Sequence, residues 1–173
     1  MAVVSGWSLV EAIFLPVVPD VALFLFALAA PRRALPLFLG VVVGSLIGTV
    51  VLVVLAGLDL GATERLVLAV PGVHQEMLSQ TRDAFAAGNL LPFATVGPGT
   101  PLKVLSLAWL EVGGWPTALA AWVVVNRLTR IAPVLVLVVF AGLWRPEWLR
   151  RHDRLVLTIY GVIWLATYAL YLA

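Results

Sequence analysis

Two carboxylates stand nine residues apart in one of the most apolar parts of the chain. They are Glu11 and Asp20 of E-A-I-F-L-P-V-V-P-D, with Pro16 and Pro19 between them. Charge at bilayer depth is costly, so such a group usually faces a cavity or a partner and marks a path for a substrate or an ion. Prolines that break a helix at that depth are tolerated where protein or water satisfies the freed carbonyls. A carboxylate in apolar surroundings takes up a proton more readily, which is what a proton-coupled carrier requires. Glu11 and Asp20 are therefore the candidate transport and proton-handling groups.

The cations come later. Lys103, the only lysine, follows P-G-T-P-L, and Arg127 and Arg130 stand three apart. That spacing places both arginines on one face of a helix. Ammonium groups, guanidiniums and backbone N–H groups at helix ends all bind phosphate. Lys103, Arg127 and Arg130 are thus candidate ligands for a phosphate headgroup. A plainer reading stays open beside this one. Glu11 would be a charge near a helix start, Asp20 a helix cap and Lys103 a snorkelling side chain. Arg127 and Arg130 would only pair with Glu11, Asp20 or Glu111 to hold the bundle, and Glu111 itself reads as structural.

The elements that must position these groups follow from composition. The chain has 173 residues, 62% hydrophobic and 12% charged, with mean hydropathy +1.07. Soluble domains average about half apolar and a quarter charged, so the sequence predicts an all-α integral membrane protein forming one domain. A net charge of +2 does not suggest nucleic acid as a partner. There is no cysteine, hence no disulfide and no thiol chemistry. The N-terminus lacks the basic start and cleavage site of a signal peptide. No metalloprotease, nucleophile-elbow or phosphate-loop motif occurs. His74, in a polar loop, receives no role. The expectation is a protein that is not an enzyme and needs no metal or cofactor.

Residues 7–33 read as a first re-entrant hairpin, whose arms are each shorter than the roughly 20 residues a crossing needs. Residues 35–57 read as a transmembrane helix with Gly40, Gly44 and Gly48 on one face, which lets another helix approach closely. Residues 58–88 are a polar interval. Met77, Leu78, Thr81, Ala84 and Phe85 recur there at helical spacing, predicting an amphipathic helix at the membrane interface. Residues 89–112, with Pro92, Gly97, Pro98, Gly99 and Pro101, read as a second broken hairpin. Pro16, Pro19, Pro98 and Pro101 are the expected helix breakers of the two hairpins. Residues 114–144 read either as one long helix carrying both arginines inward or as two segments with a loop between them; scarce turn residues favour the first, with Pro133 as a kink. Residues 155–172 form a last helix.

Charge gives the topology. With Arg32-Arg33 and the Arg145–Arg154 cluster both cytoplasmic, as positive-inside bias requires, residues 89–112 must enter and leave on one side. About three spanning helices and two re-entrant hairpins then make an inverted repeat, an arrangement found in secondary transporters. A chain this small predicts a partner copy, a homodimer, to enclose a pathway.

These features together resemble the DedA family of SNARE-associated, VTT-domain membrane proteins. Glu11, Pro16 and Asp20 are similar to its E-x4-P-x3-[E/D] hairpin signature, and E-A-I-F-L-P is close to the short YqaA-like branch. Phe85 and Gly88 followed by G-P-G-T-P-L-K resemble its second hairpin, and Arg127-x-x-Arg130 a basic pair in the next helix. The resemblance covers roughly residues 10–142. F-A-T-V-G-P lacks the arginine that many members carry there, and A-W-L-E-V-G-G replaces a small A-G pair. The resemblance implies a bacterial inner-membrane lipid translocase, a flippase or scramblase with or without proton coupling. Its cargo would be a phosphate-bearing lipid such as undecaprenyl phosphate or a phospholipid. The alternatives are a small-solute or ion secondary transporter on the same scaffold, or a non-catalytic membrane assembly factor.

Overall fold

The computed structural model describes residues 2–13, 20–94, 100–144, 147 and 152–172, and these are helical with no strand among them. Helix α1 spans Ala2–Ile13 and α2 spans Asp20–Ala29. A 3-10 turn at Pro31–Arg33 leads into α3, Ala34–Leu58. The polar interval holds α4, Leu60–Leu68, and α5, Gln75–Ala86. A single turn, α6, Leu91–Ala94, precedes α7, Leu102–Glu111. The long α8, Pro116–Trp144, and α9, Asp153–Leu172, complete the order.

The 25 residues of α3 make it the spine of the bundle. At 1.5 Å per residue it is about 37 Å long. Among the described residues, Pro31–Leu58 is the one helical stretch long and apolar enough to cross a membrane, with a mean hydropathy of 2.7 in its best window. Helix α1 lies along it. Val4, Ser8, Glu11 and Ala12 form the buried stripe of α1. The first helix thus starts at Ala2, five residues before the apolar segment expected from residue 7.

The contact between α1 and α3 depends on missing side chains. A Cβ built on Gly44 would collide with the Ser5 carbonyl and lie 3.0 Å from Ser8 Cβ; one built on Gly48 would lie 2.6 Å from Ala12 Cβ and 2.8 Å from the Leu9 carbonyl oxygen. These are the close backbone approaches that small residues permit between helices.

Helix α7 is buried on every side: Leu102, Lys103, Val104, Leu105, Ser106, Leu107 and Ala108 are all in the interior. A helix enclosed in this way belongs to the core. It carries the main hydrophobic cluster, with Leu52, Leu78, Phe85, Phe93, Leu119 and Val123 around it. Helix α5 was expected to lie at a lipid interface. Instead its apolar side, Leu78, Thr81 and Phe85, is covered by protein. The cause is aromatic: Phe85 stacks on Phe93 at 4.9 Å and meets Trp109 edge-on at 5.7 Å, while Phe93 stacks on Trp122 at 5.4 Å. Arg82 and Glu111, 3.5 Å apart, tie the outer ends of α5 and α7. With Arg82 well exposed, that pair adds little stability.

Three local signals set the ends of these helices. The Asp59 carboxylate accepts the Ala62 N–H at 2.8 Å and caps α4. Gly88 and Gly113, with φ of 75° and 76°, close α5 and α7. In each case the next N–H reaches back to the last turn, Asn89 to Ala84 and Gly114 to Trp109, both at 2.9 Å. This is a left-handed helix stop that glycine adopts without strain.

Helix α8 runs back antiparallel to α3. Ala34 clusters with Val138, and Leu37 with Ile131 and Leu135. Residues 116–144 are one helix with Pro133 inside it. Helix α9 is held more lightly: Tyr160 stacks on Phe24 at 3.7 Å, and Val156 packs beside it.

Replacing Gly44 or Gly48 with alanine forces α1 away from α3. Overpacking of this kind costs about 1–3 kcal/mol. Thermal unfolding of the purified chain should show a lowered midpoint for either variant, and for Gly57→Ala, where a Cβ meets nothing within 4 Å, no loss from crowding.

Candidate functional site

The buried charged side chains among the described residues are Glu11, Lys103, Arg127 and Arg130. They come from α1, α7 and α8. Arg127 is fully buried and Glu11 is 2% exposed. Arg127 Nη2 donates to Glu11 Oε2 at 2.5 Å. Arg127 Nε donates to Ser45 Oγ at 2.7 Å. The Ser45 hydroxyl in turn shares a 2.7 Å hydrogen bond with Ser8 Oγ, and Ser8 donates to the Val41 carbonyl at 2.9 Å. One chain of polar contacts therefore links α8, α1 and α3.

The local sequence explains this convergence. On α1, Ser8 and Glu11 lie three apart and so share a face. That face is the one turned to α3 by Gly44 and Gly48. Ser45 follows Gly44 directly, so the close approach brings Ser8 within hydrogen-bond reach. A serine pair alone would not reach far into the bundle. Arginine does, because its guanidinium offers five N–H donors in a fixed fork.

Lys103 is 1% exposed and lies within electrostatic range of both Glu11 and Arg127. It is the second residue of α7, where the N-terminal N–H groups also favour an anion. Arg130 is 6% exposed and lies one turn further along the Arg127 face. Pro101 sits at the N-cap of α7, with φ −57° and ψ 146°, an extended conformation that stops a helix from forming upstream. Asp20 is the first residue of α2. Its side chain lies outside the described residues, as do Pro16, Pro19 and Pro98 and most of the Arg145–Arg154 cluster.

Several polar groups beside these were not singled out from the sequence. Asn126, fully buried, donates from Nδ2 to the Phe93 carbonyl at 3.1 Å. The interaction ties α8 to α6 by satisfying a buried backbone acceptor with a side-chain amide. Arg127 Nη1, Thr49 Oγ1, Ser106 Oγ and Asn126 Oδ1 are buried and have no hydrogen-bond partner among the described residues. Unfilled buried polar atoms call for an explanation, and an unbound ligand is one. Ser106 follows Lys103 by three residues on α7, and Thr49 follows Ser45 by four on α3. Their periodicity with the charged residues was the signal that could have found them.

Arg127 and its partner Ser45 lie well inside their helices. Ser45 stands near the middle of α3, and Arg127 eleven residues into the 29 of α8. Helix α7 is about 15 Å long. The arrangement leaves one arginine N–H group, Arg127 Nη1, facing the buried cluster beside Glu11.

Compared with known protein families, with curated proteins and with solved structures, the chain matches none.

Removing one member of a buried ion pair strands the other, at a cost of about 3–5 kcal/mol. Glu11→Gln and Arg127→Met should each lower the unfolding midpoint strongly. The double variant should recover much of the loss, and a double-mutant cycle in denaturant measures the coupling. Asn126→Leu abandons the Phe93 carbonyl and should cost about 1–3 kcal/mol. An unchanged midpoint would show that this carbonyl is satisfied from elsewhere.

Proposed function

We propose that the chain is a multi-pass inner-membrane protein of the DedA type that translocates a phosphate-bearing lipid. Two re-entrant hairpins, 7–33 and 89–112, would meet at mid-depth between spanning helices at 35–57, 114–144 and 155–172. The observation that carries the reading is the buried Glu11–Arg127 pair with Arg127 Nη1 unfilled and Lys103 within electrostatic range. A lipid headgroup crossing the bilayer needs a polar station at mid-depth. Its phosphate would compete with Glu11 for the guanidinium, because both are anions that bind arginine through paired N–H···O bonds. Glu11 displaced in this way would take up a proton, which couples headgroup passage to the proton gradient. Lys103 and Arg130 would receive the headgroup on either side of Arg127, and Asp20 would serve as a second proton-handling carboxylate. A homodimer would close the path that a single chain of this size leaves open.

The test is lipid movement in proteoliposomes, with undecaprenyl phosphate and ordinary phospholipids as cargo and a pH gradient on or off. Wild type is expected to move at least one phosphate-bearing lipid. Glu11→Gln and Asp20→Asn are expected to lose gradient dependence. Glu11→Gln/Arg127→Met, which removes both charges of the pair together, is expected to fold and to transport nothing. Folded wild type that moves none of these lipids would sink the reading and leave a small-solute carrier or an assembly factor.

A further inference from the structure

The 3-10 turn at Pro31–Arg33 borders an open apolar groove of about 610 Å³ between the start of α3 and the C-terminal half of α8. Leu35 forms one wall, and Val136, Val139, Phe140 and Leu143 form the other. Leu35 is 65% exposed and Val136 63%. An exposed contiguous apolar surface of this kind marks an interaction site or a membrane contact. Arg32 lines the same groove. It is exposed, and its guanidinium has no hydrogen bond or ion pair among the described residues. Trp144, 73% exposed, lies at the same end, where an aromatic suits the headgroup level.

None of the described residues lining the groove is acidic. The occupant must therefore bring both the negative charge for Arg32 and the apolar surface for the α8 wall. A small anion would leave the apolar walls wet, and a neutral lipid or an apolar helix would leave the guanidinium unanswered. One anionic phospholipid answers both. Arg32 precedes Ser45 by 13 residues, which is about 20 Å along the helix axis, so the groove is separate from the buried Glu11–Arg127 pair.

We infer that this groove binds one anionic phospholipid, with the phosphate on Arg32 and an acyl chain laid against Leu35, Val136, Val139 and Phe140. The lipid is a resident at the end of α3, not the cargo of the buried pair. The inference rests on the membrane reading above but not on translocation.

The test is native mass spectrometry of the full chain released from a neutral detergent, titrated with phosphatidylglycerol or with phosphatidylcholine. The expected result is one phosphatidylglycerol retained per chain in preference to phosphatidylcholine. Arg32→Gln should weaken that retention about fivefold, as loss of one basic residue beside an anionic lipid does. Val136→Trp, which fills the groove from an exposed position, should abolish it, and Arg65→Gln in α4 should leave it unchanged. Arg32→Gln is a surface change in a short turn, so the test survives should Val136→Trp misfold. Equal retention of the two lipids, or wild-type retention in Arg32→Gln, would overturn the inference. So would a lipid-free dimer with the groove as its interface. A chain that washes out of membranes with alkaline carbonate would instead overturn the membrane reading. Inserted chain that transports lipid but ignores phosphatidylglycerol at the groove overturns this inference alone.

Discussion

A guanidinium fully enclosed by protein dictates most of what surrounds it. Arg127 cannot shed its proton, so its charge must be answered in place or the fold loses several kcal/mol. Glu11 answers it at 2.5 Å and Ser45 at 2.7 Å. For Glu11 to arrive there, α1 must sit against α3 more closely than side chains ordinarily allow, which is why Gly44 and Gly48 occupy that face. Ser45 accepts from Arg127 and, because the Ser8 proton goes to the Val41 carbonyl, gives its own proton to Ser8. The hydrogen positions follow from the network, but the three helices are fixed whichever way the protons point.

This constraint divides the molecule into two regimes. On the α7 side the interior is held by aromatic and aliphatic packing, with Phe85, Phe93, Trp109 and Trp122 in mutual contact. On the α1 side it is held by polar contacts between α1, α3 and α8. The first regime is stable without specificity of charge. The second links three helices through Glu11, Arg127, Ser45 and Ser8, so losing one of these contacts is felt by all three. Buried polar networks of this kind are costly when incomplete and well determined when complete, and the unfilled Arg127 Nη1 sits in the second regime.

Much of the helical architecture was legible in the chain. The long apolar run at 35–57, the glycine spacing on it and the interruption before Lys103 are local signals, and they depend only on helix period and backbone restriction. The charged residues of the interior were legible by type, since Glu11, Lys103, Arg127 and Arg130 stand in apolar surroundings. Their pairing was not. Glu11 could have met any of several cations, because choosing among them requires the register of α1 on α3 and of α3 on α8, and no local pattern encodes either. Ser8, Ser45 and Asn126 were passed over because a serine or an asparagine in an apolar helix is common and becomes informative only beside its partner. What covers helix α5 was hidden for a related reason. Its amphipathic stripe says that one side is apolar, and only the position of Phe93 and Trp109 says that protein rather than lipid covers it.

The separation of the central pair along the chain has a consequence for how the protein is made. Glu11 leaves the ribosome 116 residues before Arg127 does. Throughout that interval α1 and α3 exist without the arginine that hydrogen-bonds α1's carboxylate. The final seat of helix α1 is therefore complete only once α8 has been synthesised. Docking of α1 then becomes a late, C-terminal-dependent event, and a truncated chain ending before α8 would carry its first helix as an unassembled segment. The N-terminal element of this protein is, in order of assembly, among its last.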